Sequence, residues 1–109
     1  MKKIMSILMC LILMISTVSC GKNAKEDELS KIKKAGKIVL GTSADYPPYE
    51  FHKVINGKDE IVGFDIDIAK KIAEDLGVEL EIKDMKFEGL LAALQAGKID
   101  FIVSGMTPT

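Results

Sequence analysis

Between Gly63 and Gly77 the apolar residues Phe64, Ile68, Ile72 and Leu76 recur every fourth position, and Ala69 and Ala73 widen the stripe. Asp65, Asp67, Lys70, Lys71, Glu74 and Asp75 occupy most of the remaining positions. One apolar and one charged face predict an amphipathic helix. Asp65 and Asp67 fall in its first turn, where carboxylates accept from unpaired N–H groups and meet the positive end of the dipole. They are therefore expected to be solvated capping groups rather than a catalytic pair. Gly77 stands where a left-handed C-terminal cap is wanted.

The same pattern reading extends to both sides. Asp27 to Ala35 predicts a short helix with Leu29 and Ile32 inward and Gly36 closing it. Lys37 to Thr42 is a β-branched and aliphatic run, a first strand. Ser43 to Phe51 is a loop dense in proline and aromatic residues, and His52 to Val62 holds Asn56-Gly57 between two short runs, a hairpin signal. Val78 to Lys83 alternates strictly and predicts a strand with one wet face. Lys86 to Gln95 carries Phe87, Leu90, Leu91 and Leu94 at helical spacing, closed by Gly97. Asp100 to Val103 is apolar after its first residue, as a buried parallel strand is.

Strand, helix, strand, helix, strand is a βαβαβ arrangement, hence an α/β fold with a parallel sheet and right-handed crossovers. The expected strand order places Lys37–Thr42 between Val78–Lys83 and Asp100–Val103. Ligands of such sheets bind outside the carboxyl ends of the strands. That rule selects Ser43–Phe51, Asp84–Phe87 and Ser104–Thr107.

The N-terminus has a separate character. Met1-Lys2-Lys3 is basic, Ile4 to Ile15 almost wholly apolar, and Ser16 to Ser19 mostly small and polar. This predicts a secretory signal over residues 1–19, too short for a comfortable membrane span, with a signal-anchor that stays in the bilayer as the alternative. The following Cys20-Gly21 resembles a bacterial lipoprotein cleavage site, with Thr17 departing from the usual aliphatic residue. Cys20 would carry the lipid, and residues 20–30 would form the lipidated start and tether. One acyl chain anchors only marginally, at about 0.8 kcal/mol per buried CH2, so a diacylglyceryl group is needed for stable attachment. Cys10 lies in the discarded segment, which leaves Cys20 no partner for a disulfide or a cysteine metal site.

The formal charge is −1, and removal of Lys2 and Lys3 with the signal takes it to −3. A faintly acidic chain argues against nucleic-acid binding, which needs a concentrated basic patch. His52 is the one histidine, with no second ligand at helical or hairpin spacing, so no metal and no cofactor is expected. Every basic residue is lysine.

The three selected loops suit a small ligand. Ala44 to Phe51 offers Tyr46, Tyr49 and Phe51 on a backbone stiffened by Pro47 and Pro48. Phe87 starts the next helix. Ser104-Gly105-Met106-Thr107 supplies hydroxyls and backbone N–H groups of the kind that receive a carboxylate.

The run Gly63-Phe64-Asp65-Ile66-Asp67-Ile68, continuing through Ile72-Ala73 to Leu76, closely resembles the signature block of the bacterial extracellular solute-binding proteins of family 3, the amino-acid receptors of ABC importers. Gly41-Thr42-Ser43-Ala44-Asp45-Tyr46-Pro47-Pro48-Tyr49-Glu50 is similar to the segment that follows the family's first strand, and Ser104-Gly105-Met106-Thr107-Pro108-Thr109 to its later ligand loop. The resemblance runs from about Ile32 to the last residue. It implies a two-lobe periplasmic-binding-protein fold, of which residues 31–109 would be the N-terminal part of lobe 1.

It further implies that Tyr46 stacks on the ligand side chain and that Phe87 forms a second wall. Ser104, Gly105, Met106 and Thr107 would receive the α-carboxylate and α-amino group, with Ser43 at the pocket mouth. The family pattern continues to an arginine that clamps the carboxylate with a planar fork lysine cannot copy. The implied function is capture of a free amino acid outside the membrane, lipid-anchored through Cys20, and delivery to ABC permease subunits. Without the hinge, the second lobe or any arginine, this chain alone is expected not to bind. The alternatives on the same fold are an enzyme resembling cyclohexadienyl dehydratases and a receptor-derived sensor. Catalysis has no support in these residues: there is no histidine pair, no nucleophile elbow and no mature cysteine besides Cys20.

Overall fold

The computed structural model describes residues 26–107 together with residues 1, 3 and 4. The expected cleavage site, Cys20 and most of the tether lie outside the described residues.

Helix α1 (Glu28–Ala35) begins inside the stretch assigned to the tether. Asp27 caps it by accepting from Ser30 N at 2.7 Å, and Gly36, at φ 71°, closes it with N–H bonds to Ile32 O and Lys33 O. None of its residues is buried; Leu29 is exposed and Ile32 half-buried.

Strand β1 (Lys37–Thr42) runs through the centre of a parallel sheet. It pairs with β5 (Glu79–Asp84) from Lys37↔Glu79 to Thr42↔Asp84, and with β6 (Phe101–Ile102) at Leu40↔Phe101 and Gly41↔Ile102. The order β5-β1-β6 is the one expected from the sequence. Being central, β1 is the buried strand. Phe101 and Ile102 are only half-buried, a correction to the fully buried strand expected there, because β6 lies at the edge of the described sheet.

Helix α2 (Phe64–Leu76) covers one face. Leu40, Ile66 and Ala69 form the core, with Ile61, Leu80, Ile82, Phe101 and Val103 packed around them. The face it buries is Ile66, Ala69 and Ala73, not the Phe64–Ile68–Ile72–Leu76 stripe. Phe64 is 62% exposed and Ile68 38%, while Ile72 and Leu76 are half-buried. Four residues turn a helix about 40° beyond a full revolution. A strict every-fourth stripe therefore starts on the outer flank and reaches the sheet only in the last turns.

On the opposite face a 3-10 turn (Phe87–Gly89) leads into α3 (Leu90–Gln95), where a single helix from Lys86 was expected. Leu90 and Ile99 lie over Gly41: a Cβ there would come within 3.2 Å of Leu90 Cδ2 and 2.3 Å of Ile99 Cδ1. The helix thus sits against bare strand backbone.

The Pro-rich segment is more ordered than a loop. A second, antiparallel sheet joins β2 (Asp45–Tyr46), β3 (Glu50–Ile55) and β4 (Lys58–Val62). Asn56 and Gly57 have φ of 51° and 77°, the positive pair a two-residue type I′ hairpin demands. The hairpin starts at Glu50 rather than His52, and Tyr46 pairs with Glu50 across the Pro47–Pro48 turn.

His52 fastens this hairpin to the parallel sheet. Its Nδ1 lies 2.8 Å from Asp59 Oδ2 and its Nε2 2.9 Å from Asp84 Oδ2. Hydrogen bonding to Asp84, then to Asp59, raises its pKa above the ordinary value of 6.5. The imidazolium is the form the fold favours. The contribution is therefore complete below 6.5 and is lost as pH rises through the raised folded value. In His52→Gln the hairpin amides should lose this added pH dependence of protection, and the wild-type ring should titrate above 6.5 by NMR. A ring titrating at or below that value would remove the clamp.

Candidate functional site

Because β1, β5 and β6 are parallel, their carboxyl ends share one edge of the sheet, and the three loops selected above emerge there. The first loop is tied to the second: Ala44 N donates to Asp84 Oδ1 at 2.9 Å, and Met85 N to Thr42 O at 3.0 Å. Burial alone would push the Asp84 carboxyl up, but the Ala44 N–H, His52 and the Met85 N–H outweigh it and hold the pKa below 3.8. Ser43 is buried, and its hydroxyl donates to Asp45 Oδ1 at 3.3 Å.

Tyr46 is 54% exposed and stacks on Tyr49, centroids 5.5 Å apart at 15°. Tyr49 meets Phe64 edge-on at 6.5 Å and 80°. The third aromatic of the cluster is thus the first residue of α2. Phe87 is exposed on the second loop, and no ring pair among the described residues joins it to Tyr46 or Tyr49.

The first and third loops touch. Gly105 lies under the Tyr46 ring so closely that a Cβ on it would be 2.9 Å from Tyr46 Cδ1 and 3.1 Å from Cε1. Three donors of this loop already have partners within the fold. Ser104 Oγ donates to Glu50 Oε1 at 2.6 Å, Gly105 N donates to the same oxygen at 2.9 Å, and Met106 N donates to Ser104 O at 2.6 Å. Met106 and Thr107 are exposed.

Two acids organise this contact, and the sequence motifs placed neither of them in the site. Glu50 is 1% exposed, with Oε2 unpartnered among the described residues. Asp65 is 8% exposed; burial first, then hydrogen bonding to Glu50 and its charge, raise its pKa from 3.8 to about 6. This corrects the solvated cap expected at that position. The first turn of α2 is capped by backbone instead: Phe64 N donates to Pro48 O at 3.1 Å and Asp65 N to Tyr49 O at 2.9 Å. Asp65 is thereby drawn beneath the Pro47–Pro48–Tyr49 turn. The one sequence signal was an acid directly after that turn, in a stretch otherwise aromatic.

Among the described residues no group of three His, Cys, Asp or Glu side chains is placed to hold a metal ion. The arrangement presents exposed rings beside a turn anchored from below, a surface on which a planar or cationic group can lie.

The arginine-binding extracellular protein ArtP of Bacillus subtilis is 38% identical over the whole chain, which spans 40% of its length. An amino-acid ABC transporter substrate-binding protein from Streptococcus pneumoniae, solved bound to L-arginine, superposes with a TM-score of 0.75 at 46% identity, over 77% of this chain and 35% of that one. The arginine-bound form of domain 1 from TmArgBP gives a TM-score of 0.68 at 53% identity, over 78% of this chain and 63% of that one. Residues 38–109 match the family model described as bacterial extracellular solute-binding proteins, family 3. The chain belongs to the bacterial extracellular solute-binding proteins, family 3.

Proposed function

We propose that this chain is the N-terminal part of an extracytoplasmic receptor for a free amino acid, with arginine as the favoured ligand, serving an ABC importer. The observation that carries the reading is the likeness to two arginine-bound proteins at 46% and 53% identity. The chemistry of the edge agrees with it. A guanidinium is planar and cationic and stacks on aromatic faces, and Tyr46 offers an exposed ring there. Ser104 and Gly105 set the wall that Tyr46 leans on, Thr107 and Met106 border the ligand, and Phe87 closes the far side when the rest of the protein is in place. Ser43 supports the first loop from within.

The reading is of a binding protein and not an enzyme. In the whole receptor, closure around the ligand would create the surface that engages the permease. The arginine-bound form of domain 1 from TmArgBP supports a ligand site on the first lobe. Calorimetry of the full-length protein against L-arginine, L-lysine, L-glutamine and L-leucine tests the assignment. Arginine should saturate at micromolar concentration and win by about tenfold or more, the worth of one matched charged contact. Absence of a saturable arginine signal would overturn it.

Anchoring is proposed to run through Cys20, on the basic–apolar–small–Cys pattern of residues 1–20. Cys20→Ser should abolish incorporation of labelled fatty acid in the producing bacterium. Label remaining on the substituted protein would exclude Cys20 as the site.

A further inference from the structure

The turn beneath Tyr46 is held by a residue whose own environment is unbalanced. Glu50 Oε1 accepts from both Ser104 Oγ, at 2.6 Å, and Gly105 N, at 2.9 Å. Its other oxygen, Oε2, is buried with no donor among the described residues. Close to Glu50 lies the Asp65 carboxyl, itself buried, on a residue whose N donates to Tyr49 O at 2.9 Å. Two desolvated carboxylates side by side repel, and one proton between them turns repulsion into an O–H···O bond.

Among the described residues the surroundings supply no cation to do this instead. Segment 103–107 carries no charged residue, and the turn over Tyr46–Tyr49 brings only phenols. Asp67, the other first-turn acid of α2, is exposed, and along the hairpin His52 is engaged by Asp59 and Asp84. No ion pair among the described residues includes Glu50 or Asp65. Glu50 is the one charged group that moves the Asp65 carboxyl.

We propose that Glu50 and a protonated Asp65 form one buried hydrogen-bonded acid pair, which makes Glu50 the positioning residue that fixes the Ser104–Gly105 turn against the Tyr46 ring. The Asp65 O–H donates to Glu50 Oε2, which leaves Oε1 to accept from the turn. Its consequence for ligand rests on the amino-acid reading above, since the turn sets where the Tyr46 wall stands. The sign with pH follows from a raised acid. The pair is complete below the ordinary carboxylate value of 3.8 and is lost as pH rises through about 6.

The experiment uses the full-length protein, wild type, Glu50→Gln and Glu50→Met, with three readouts: the Asp65 carboxyl titration by carbon NMR, the Gly105 amide protection factor from pH 5 to 7, and calorimetry with L-arginine. Wild-type Asp65 should titrate near 6, and Gly105 protection should fall across that range. In Glu50→Gln the amide nitrogen donates to an ionised Asp65 while its oxygen still accepts from the turn. Asp65 should then titrate at least about one unit lower, and Gly105 protection should stay within about threefold and become flat with pH. Glu50→Met removes the acceptor and should cost about tenfold or more in both Gly105 protection and arginine affinity.

A wild-type Asp65 titrating near 3.8, or Gly105 protection unchanged in Glu50→Met, would overturn the proposal. If Glu50→Met does not fold, the wild-type and Glu50→Gln titrations still decide it. If arginine fails to bind wild type, the ligand assignment falls, while the titration and the amide protection test the acid pair independently.

Discussion

Replacing Gly63 by alanine is expected to destabilise the protein by about 3 kcal/mol or more, a large share of the stability of a small domain. Gly63 has φ 133° and ψ 179°, a region essentially closed to residues with a Cβ. The space is closed as well: a Cβ would stand 2.1 Å from Tyr49 O, 2.5 Å from Tyr49 C and 2.8 Å from Pro48 O. These are backbone atoms, so no rotamer change relieves the contact. The same two carbonyls accept from Phe64 N and Asp65 N. Pushing them away sacrifices both bonds at about 1 kcal/mol each, in addition to the strain. Gly77→Ala is the control. Gly77 is also left-handed, at φ 70°, but nothing lies within 4 Å of its added Cβ. It should cost only about 1 kcal/mol, the conformational penalty by itself. Urea unfolding of the two full-length variants measures the difference. Equal midpoints would show that the close approach to Tyr49 is not what requires glycine there.

Tyr46→Ala should weaken amino-acid binding by about 1–3 kcal/mol, or some 5- to 150-fold in Kd. The ring has one face stacked on Tyr49 and an edge over Gly105, yet remains 54% exposed. It is thus held in place before a ligand arrives, and little further ordering entropy is lost on binding. Tyr46→Phe keeps the stack and should bind within about threefold of wild type. Phe87→Ala provides the contrast, because that ring stands outside the Tyr46–Tyr49–Phe64 cluster. Its loss should matter less than that of Tyr46. Calorimetry on the full-length protein gives the affinities, and an unchanged Kd for Tyr46→Ala would move the site elsewhere.

Local rules made much of the fold legible. Asn56-Gly57 turns because both residues tolerate positive φ, and nothing distant is needed to say so. Gly36 and Gly77 end α1 and α2 for the same kind of reason, and Asp27 caps α1 because its side chain reaches Ser30 N within one turn. Strand–helix alternation implied a parallel sheet, the expected order of its strands matches the observed one, and the carboxyl ends of those strands marked the edge where the aromatic and Ser-Gly loops meet.

The errors lie where a distant contact outweighs the local preference. Asp65 reads as a solvated cap by position, but the Pro48 and Tyr49 carbonyls take over the capping, and the approach permitted by Gly63 buries its carboxyl against Glu50. The Ser104 hydroxyl and Gly105 N–H read as ligand donors by type, yet Glu50, more than fifty residues earlier, already binds both. Ile66 rather than Ile68 enters the core because the sheet's placement, not the stripe's period, chooses the face of α2. The sequence by itself determined most of the helices and strands and where α1 and α2 end, since backbone conformational preferences and hydrophobic periodicity act within a few residues. It did not determine the short strand at Asp45–Tyr46, the hairpin's start at Glu50 or the 3-10 turn before α3. Only the tertiary structure decided which acids are buried together and which donors remain free, because desolvation and hydrogen-bond pairing depend on groups that the chain brings together from far apart.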